Sequence, residues 1–381
     1  MKKYFQFSKY QIEQLYIMSK LGMFGLLTLS ILVASLLRNE VNHTLLIIGI
    51  TMHLIVVLFR IYIMTLYQKM FQNHSNEWIY LFTLGTFLSG ISWGAIILIL
   101  NSLHVEYQYL VLSILVAITS AAITTLGSIF IVYLSFFIPI VLPVLLWLIL
   151  QEGEIYFVSI LLYLVSIPYF ILTSYRVSEN QKNIGIKNEE IQETQLEIIK
   201  RLGIAGEYRD NDTGEHVSRV SQNCQLLAKN LGYDEYFCQN ILHASPLHDV
   251  GKIGISDLIL LKPEKLKIEE FEKMKEHTTI GYKILRNHHS PIMKMASIIA
   301  LTHHEKYDGS GYPKGLKANN IPIEGRIVAI CDVYDALTSK RVYKKAWSKI
   351  EAIEYLTKES GKHFDPLLVK EFLKIVSLPS S

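Results

Sequence analysis

Residues 107–151 read YQYLVLSILVAITSAAITTLGSIFIVYLSFFIPIVLPVLLWLILQ, without one Asp, Glu, Lys or Arg. A soluble domain carries about one charged residue in four, so a stretch this long without any is built for lipid. A hydrocarbon core of about 30 Å takes about 20 apolar residues of helix. Two such helices fit here, at 109–126 and 130–150, joined too tightly for the sequence to mark their boundary. Working outward, apolar lengths of similar size occur at 21–37, 44–67, 78–101 and 155–173. Six spanning helices are therefore expected.

The chain has 381 residues, 50% hydrophobic and 19% charged, and the charge is unevenly spread. From Leu21 to Thr173 only eight charged residues occur (Arg38, Glu40, Arg60, Lys69, Glu77, Glu106, Glu152 and Glu154) of the 71 in the whole chain. This excludes a wholly soluble, a disordered or a fibrous protein. The net charge of +3 is too mild to call for a nucleic-acid polymer as partner. Three cysteines, Cys224, Cys238 and Cys331, lack paired spacing and read as small buried apolar groups in a reducing compartment.

Orientation follows the lysine and arginine bias of the short flanks. Lys2, Lys3, Lys9 and Lys20 precede the first span, Lys69 follows the second, and Arg176, Lys182 and Lys187 follow the sixth. Both termini are expected in the cytoplasm, with residues 1–20 as a cytoplasmic segment and 21–173 as the membrane domain. A cleaved signal peptide is disfavoured because five more spans follow the first. Arg60, near the inner end of the second span, is expected to snorkel to the headgroups, the alternative being a ligand or lipid contact. His53 lies deeper, as a pH-sensitive or ligand-facing group. The spans lack the acidic and basic residues of an ion or substrate pathway, which argues against a transporter.

Beyond the spans, residues 174–205 turn polar and helix-favouring, with Ile184, Ile191 and Ile198 seven apart among glutamates. A parallel dimeric coiled coil and a simple surface helix fit this linker equally. From residue 206 to the end the apolar spacing is helical, with Gly232 where a helix would stop. Helices are expected at 234–248, 269–275, 279–287, 293–304, 324–339, 349–360 and 366–376. No alternation of period two suggests a strand.

Nine of the 13 histidines fall in this half. His216 ends DNDTGEH, His248 and Asp249 lie in LHDVGKIG, His277 opens HTTIG, His303 and His304 open HHEKYDGSGYP, and Asp332 lies in CDVYDALTSKRVYKKAW. Imidazoles with carboxylates suit iron or manganese, and softer thiolate sites are disfavoured. Adjacent helical residues point about 100° apart, so His248 and Asp249 share a site only if a helix end projects into it. Asp249, with two oxygens, can bridge two ions. A calcium loop at Asp210 and Asp212 lacks the remaining oxygen ligands.

These ordered motifs, over residues 200–378, resemble the HD-GYP family of cyclic di-GMP phosphodiesterases, a branch of the HD metal-dependent phosphohydrolases. The fold class expected is therefore all-α: a six-helix transmembrane bundle, a helical connector and an all-α HD-GYP domain over 206–381. The resemblance implies that His216, His248, Asp249, His277, His303, His304 and Asp332 are metal ligands, holding two or three divalent ions, iron or manganese. Some members hold a third ion through a Glu four residues before the first His; Asp212 stands there in this chain. Lys252, Tyr312, Arg341 and Lys344 match positions near the bound dinucleotide, and His248, Asp249 and Lys252 the catalytic positions. Their chemistry suits phosphate and guanine: a planar fork in Arg341, point charges in the lysines, a ring with a hydroxyl in Tyr312. His243, His288, His289 and His363 match no ligand position.

The activity so implied is hydrolysis of cyclic di-GMP to pGpG, and in many relatives on to GMP. The apolar half places the chain in a bacterial cytoplasmic membrane, with the lipid bilayer and cyclic di-GMP as expected partners. A homodimer through the linker is one of the linker's two readings, and the membrane module is expected to regulate the enzyme, although an anchor alone would suffice physically. Competing readings are a phosphohydrolase acting on another nucleotide or cyclic dinucleotide, and a non-catalytic cyclic di-GMP receptor. The unbroken ligand set counts against the receptor.

Overall fold

The structure, a computed structural model, describes residues 7–71, 75–209, 214–339 and 345–377. Asp212, Arg341 and Lys344 lie outside the described residues. All regular structure among the described residues is helical, apart from one isolated bridge between Ser360 and Phe364. The chain divides into two compact units, Met1–Ile191 and Gln192–Ser381.

The first unit contains α1 (Lys9–Leu37), α2 (His43–Phe71), α3 (Ser75–Gly94), α4 (Ile97–Leu100), α5 (Val105–Leu126) and α6 (Phe130–Ile149), and α7 (Glu154–Tyr208) begins in it. Six helical segments are long and apolar enough to cross a membrane by length and composition. Helix α1 starts well before the apolar run because Ser8 and Gln11 form a reciprocal cap, each side chain meeting the other's backbone N–H. Ile12 and Leu15, ahead of the expected span, are fully buried. The Gln11 amide donates to the Ser128 carbonyl at 2.9 Å, which satisfies the tight turn between α5 and α6.

The third span differs from its expectation of one helix over 78–101, since it breaks after Gly94 into α3 and the short α4. A Cβ on Gly90 would stand 2.5 Å from the Phe136 carbonyl oxygen, and one on Gly94 2.1 Å from that of Pro139. The two glycines, four apart, let the backbones of α3 and α6 touch. Pro143 has no N–H to offer the Pro139 carbonyl, so this oxygen turns toward α3. Around the contact, Trp78, Phe82, Tyr133 and Phe136 are fully buried, and the Trp78 indole donates to the Ile63 carbonyl at 3.0 Å.

Arg60 does not snorkel. Its side chain stays in the bundle at 2% exposure, because its stem lies along Gly85 of α3, where even a Cβ would come within 3.0 Å of the Arg60 Cγ.

Within α7 the helix continues through the connector without a stop to Tyr208, and Ile184, Ile191 and Ile198 are exposed on it. The second unit adds α8 (Gly214–Asn230), α9 (Glu235–Ala244), α10 (Asp257–Leu260), α11 (Ile268–Leu285), α12 (Pro291–Thr302), α13 (Ile323–Thr338), α14 (Lys349–Lys358) and α15 (Pro366–Ser377). Gly232, at φ +83°, ends the first of these in the left-handed conformation that favours glycine. The core gathers Val220, Leu227, Ile241, Ile299, Ile330 and Phe372, and all three cysteines are free and buried.

Two expected elements change. The helix expected over 234–248 stops at Ala244 and tightens into two 3-10 turns, Ser245–Leu247 and Val250–Gly254. Pro246, which has no N–H, disfavours continuation of the α-helix here. Conversely, the two helices expected at 269–275 and 279–287 are one, α11. Gly281 in its middle costs roughly 1 kcal/mol of helix propensity. It is there because Gly251 passes against it: a Cβ on Gly251 would lie 2.5 Å from the Gly281 nitrogen.

Candidate metal centre

His248 and Asp249 occupy the junction between the two 3-10 turns, so both adjacent side chains face the same interior. Asp249 stands at the middle of the site. Its Oδ1 lies 3.1 Å from His277 Nε2 and 3.4 Å from His303 Nε2, while its Oδ2 lies 3.4 Å from His248 Nε2 and 2.8 Å from Lys252 Nζ. One group of potential ligands comprises Asp249, His277, His303 and His304, and the other Glu207, His216 and His248, the ligand atoms in each lying within 4.8 Å of one another.

The imidazoles are aimed by their surroundings. Nδ1 of His248, His277 and His303 bonds to the carbonyls of Ser245 (2.9 Å), Met274 (2.7 Å) and Ile299 (3.0 Å). With Nδ1 as donor, each Nε2 carries its lone pair toward the site. Those three Nε2 atoms, with Asp249 Oδ1 and Glu207 Oε1, are buried and lack a well-formed hydrogen bond. Buried polar atoms are nearly always satisfied, so five orphans converging on one place fit a bound cation. The donor set of nitrogen and carboxylate oxygen fits a borderline-hard divalent ion.

Electrostatics point the same way. Burial works against a charged His248, but Asp249, Asp332 and Glu207 override it and push the group up to about 10. Burial, with Asp249 adding to it, raises Glu207, although Lys252 and His248 pull the other way. Burial also lowers His303, and burial with His303 beside it holds His304 well below its ordinary value. His303 and His304 are thus held neutral, as ligation requires, while the carboxylates that raise His248 draw a positive charge into the site, which a bound cation would supply in place of the proton.

His216 is held by the expected ligand Asp332 and by Asp335, which the sequence motifs did not single out. Its Nδ1 lies 2.7 Å from Asp335 Oδ2 and its Nε2 3.4 Å from Asp332 Oδ1. Asp335 also accepts from Arg219 Nε at 2.7 Å and from the Ser339 hydroxyl at 3.1 Å. Burial opposes its charge, but His216 and Arg219 bring Asp335 down to about 2. Its stabilising effect is thus full above pH about 4 and is lost as pH falls through about 2. The signal was in DVYDALT, where Asp335 follows Asp332 by three and shares its helix face. Asp335→Ala is expected to weaken metal binding and any metal-dependent turnover 10–100-fold, measured as metal content after dialysis against a competing chelator; full retention would show that His216 needs no orienting partner.

Glu207 was also missed, and here glycines were the clue. A Cβ on Gly203 would lie 2.3 Å from the Pro246 carbonyl oxygen, and one on Gly206 3.2 Å from the Val250 Cα. The end of α7 therefore presses on the His248 junction and delivers Glu207, 1% exposed, with Oε1 3.7 Å from His248 Nε2 and Oε2 3.4 Å from Lys252 Nζ. Lys252 accordingly sits between two carboxylates. Arg209 secures the following turn by donating to the carbonyls of Lys252 (2.9 Å) and Ile255 (3.1 Å) and pairing with Asp257.

Tyr312 covers the other side, stacked on His304 with ring centroids 4.8 Å apart. Its loop follows from Gly311, where a Cβ would strike Lys306 N at 2.2 Å, and from the buried Glu305, which accepts from Lys314 N (2.8 Å) and Leu316 N (2.9 Å). Neither group of potential ligands includes His243, His288, His289 or His363; the last stacks on Phe364 at 4.2 Å.

With this geometry in place, residues 207–368 match the HD domain family. The chain carries an HD domain. Over 180 residues it is 49% identical to a cyclic di-GMP phosphodiesterase of Thermotoga maritima, covering 47% of this chain and 49% of the relative. Over 198 residues it is 46% identical to the cyclic di-GMP phosphodiesterase response regulator RpfG of Xanthomonas campestris pv. campestris, covering 52% of each. Identity is also 46% over 198 residues to 3'3'-cGAMP-specific phosphodiesterase 2 of Vibrio cholerae, covering 50% of this chain and 38% of that one. The chain thus spans about half or less of the length of these curated relatives. The HD domain accounts for the histidine clusters and leaves the N-terminal helices outside the match.

Proposed function

We propose that the chain is a membrane-anchored, metal-dependent phosphodiesterase that hydrolyses cyclic di-GMP to linear pGpG. The observation that carries this reading is Asp249 placed between His248 on one side and His277 and His303 on the other, three histidines whose buried Nε2 atoms have no hydrogen-bond partner, in a domain whose relatives bear that activity in their names. His216, His248, Asp249, His277, His303, His304 and Asp332 would hold two divalent ions of the iron or manganese class, with Glu207 added from the geometry. Asp212, with its shorter arm, is the candidate for a third. When bound, such ions supply Lewis acidity toward phosphoryl oxygens and activation of water at neutral pH.

The chain's own groups do the rest. Lys252, held between Asp249 and Glu207, keeps a charged donor at the site and can offset charge on the departing 3′ oxygen. Tyr312, seated on His304, offers a flat wall against which a guanine can stack. Arg341 and Lys344 are assigned to the phosphates or the guanine edge. The six apolar helices anchor both termini on the cytoplasmic side of a bacterial inner membrane and regulate the enzyme, and the exposed isoleucines of α7 form a homodimer seam.

A second reading, 3′3′-cGAMP as substrate, is favoured by the Vibrio relative. The test is hydrolysis by the full chain in lipid nanodiscs, under anaerobic conditions with Fe²⁺ or Mn²⁺, with both dinucleotides competing in one reaction. Preferential appearance of pGpG is expected. Preferential loss of 3′3′-cGAMP would establish the second reading, and cleavage of neither by fully metal-loaded protein would overturn both.

A further inference from the structure

Arg60 on α2 is a full positive charge deep in an apolar helix bundle. Among the described residues its polar contact is with the hydroxyl of Ser89 at 3.3 Å, its guanidinium lies 5.4 Å from the Phe82 ring centre, and its Nε is buried with no partner. A guanidinium does not lose its proton under these conditions. One neutral hydroxyl and one ring face return much less than the charge gives up on leaving water. Carboxylate side chains are absent from the residues that line the space around it.

That space is a cavity of about 310 Å³, open to the bundle surface at the exposed Gly25 of α1 and Ala121 of α5 and lined further in by Arg60 with Gly22 and Leu29 of α1 and Phe136 of α6. Small residues from two helices keep it open, and a Cβ on Gly25 would meet nothing within 4 Å. Its volume is at the lower end for small-molecule sites, about 300–1,000 Å³, which suits one short apolar chain and not a two-tailed lipid. We propose that this cavity binds a single-chain carboxylate amphiphile, a medium-chain fatty acid anion, with its carboxylate on Arg60 and its tail against Leu29 and Phe136.

Charge and shape select that class. One unpaired cation is neutralised by one carboxylate, which also matches the planar fork of the guanidinium. A phosphate dianion would leave excess negative charge in a lining otherwise almost wholly apolar. An uncharged alcohol would fill the space but leave Arg60 unpaired. The inference concerns the first unit alone and does not depend on which nucleotide the HD domain cleaves.

The test is thermal unfolding of the full chain in nanodiscs, followed by tryptophan fluorescence, with decanoate, decanol and decyl phosphate at matched concentrations. Decanoate is expected to raise the midpoint saturably by about 5 °C or more when well above its Kd, and decanol and decyl phosphate by much less. In Arg60→Gln the ligand-free midpoint should rise, because an unpaired charge is gone, and the response specific to decanoate should vanish. Gly25→Leu fills the cavity while leaving Arg60 in place, and should weaken the decanoate response at least tenfold in half-saturating concentration. Equal responses to decanoate and decanol, a larger response to decyl phosphate, no response at all, or an unchanged response in Gly25→Leu would each overturn the proposal.

Discussion

A chain carrying His248→Ala together with Asp249→Ala is expected to hydrolyse the proposed substrate, cyclic di-GMP, at least about 10³-fold more slowly than the parent. Asp249 touches both groups of histidines, one oxygen on each side, so its loss removes the carboxylate that each group has in common. His248 is the neighbour that links it to Glu207. The fold should survive, because Lys252 keeps Glu207 as its partner and the junction backbone is set by Pro246 and Gly251 rather than by the two side chains. Metal analysis on the same sample is expected to show less than one ion per chain. Turnover within tenfold of the parent, with metal retained, would place the chemistry elsewhere.

Gly251→Ala is expected to be the most damaging single methyl in the HD domain, costing about 3 kcal/mol or more in stability. The added carbon would lie 1.9 Å from the His277 carbonyl oxygen and 2.5 Å from the Gly281 nitrogen, both backbone atoms in the middle of α11. Neither can rotate away as a side chain would. Relief requires the 3-10 turn and α11 to separate, which pulls Asp249 away from His277, so metal affinity should fall along with the unfolding midpoint. Denaturant unfolding monitored at Trp347 would measure it; a loss below about 1 kcal/mol would mean that this junction yields.

The company of five histidines, His216, His248, His277, His303 and His304, made the expected ligands stand out, because each lies in a short motif beside Asp, Gly or another His, and Asp249 and Asp332 lie in ordered motifs of the same kind. Their orienting partners were harder to see for a physical reason. The Nδ1 atoms are held by backbone carbonyls of Ser245, Met274 and Ile299, which no side-chain pattern records. Glu207 belongs to a helix that reads as a connector, and its role depends on how closely Gly203 and Gly206 let that helix approach. Asp335 was visible as a spacing but had no metal motif of its own. In the first unit, hydropathy located the apolar helices but said nothing of which face Arg60 would take. The snorkelling expectation failed because the slot at Gly85 lies on another helix, and the approach of two helices cannot be read from either alone.

The hydrogen bonds from Nδ1 of His248, His277 and His303 have a consequence for the order of events in the cell. Each clamp lies within four residues of its histidine, so it forms as the local turn forms and needs no ion to set the ring. The apoprotein should therefore reach its native shape unaided and take up metal as a finished receptacle, exchanging one ion for another without refolding. Which divalent ion such a receptacle takes would then depend on supply at loading as well as on affinity.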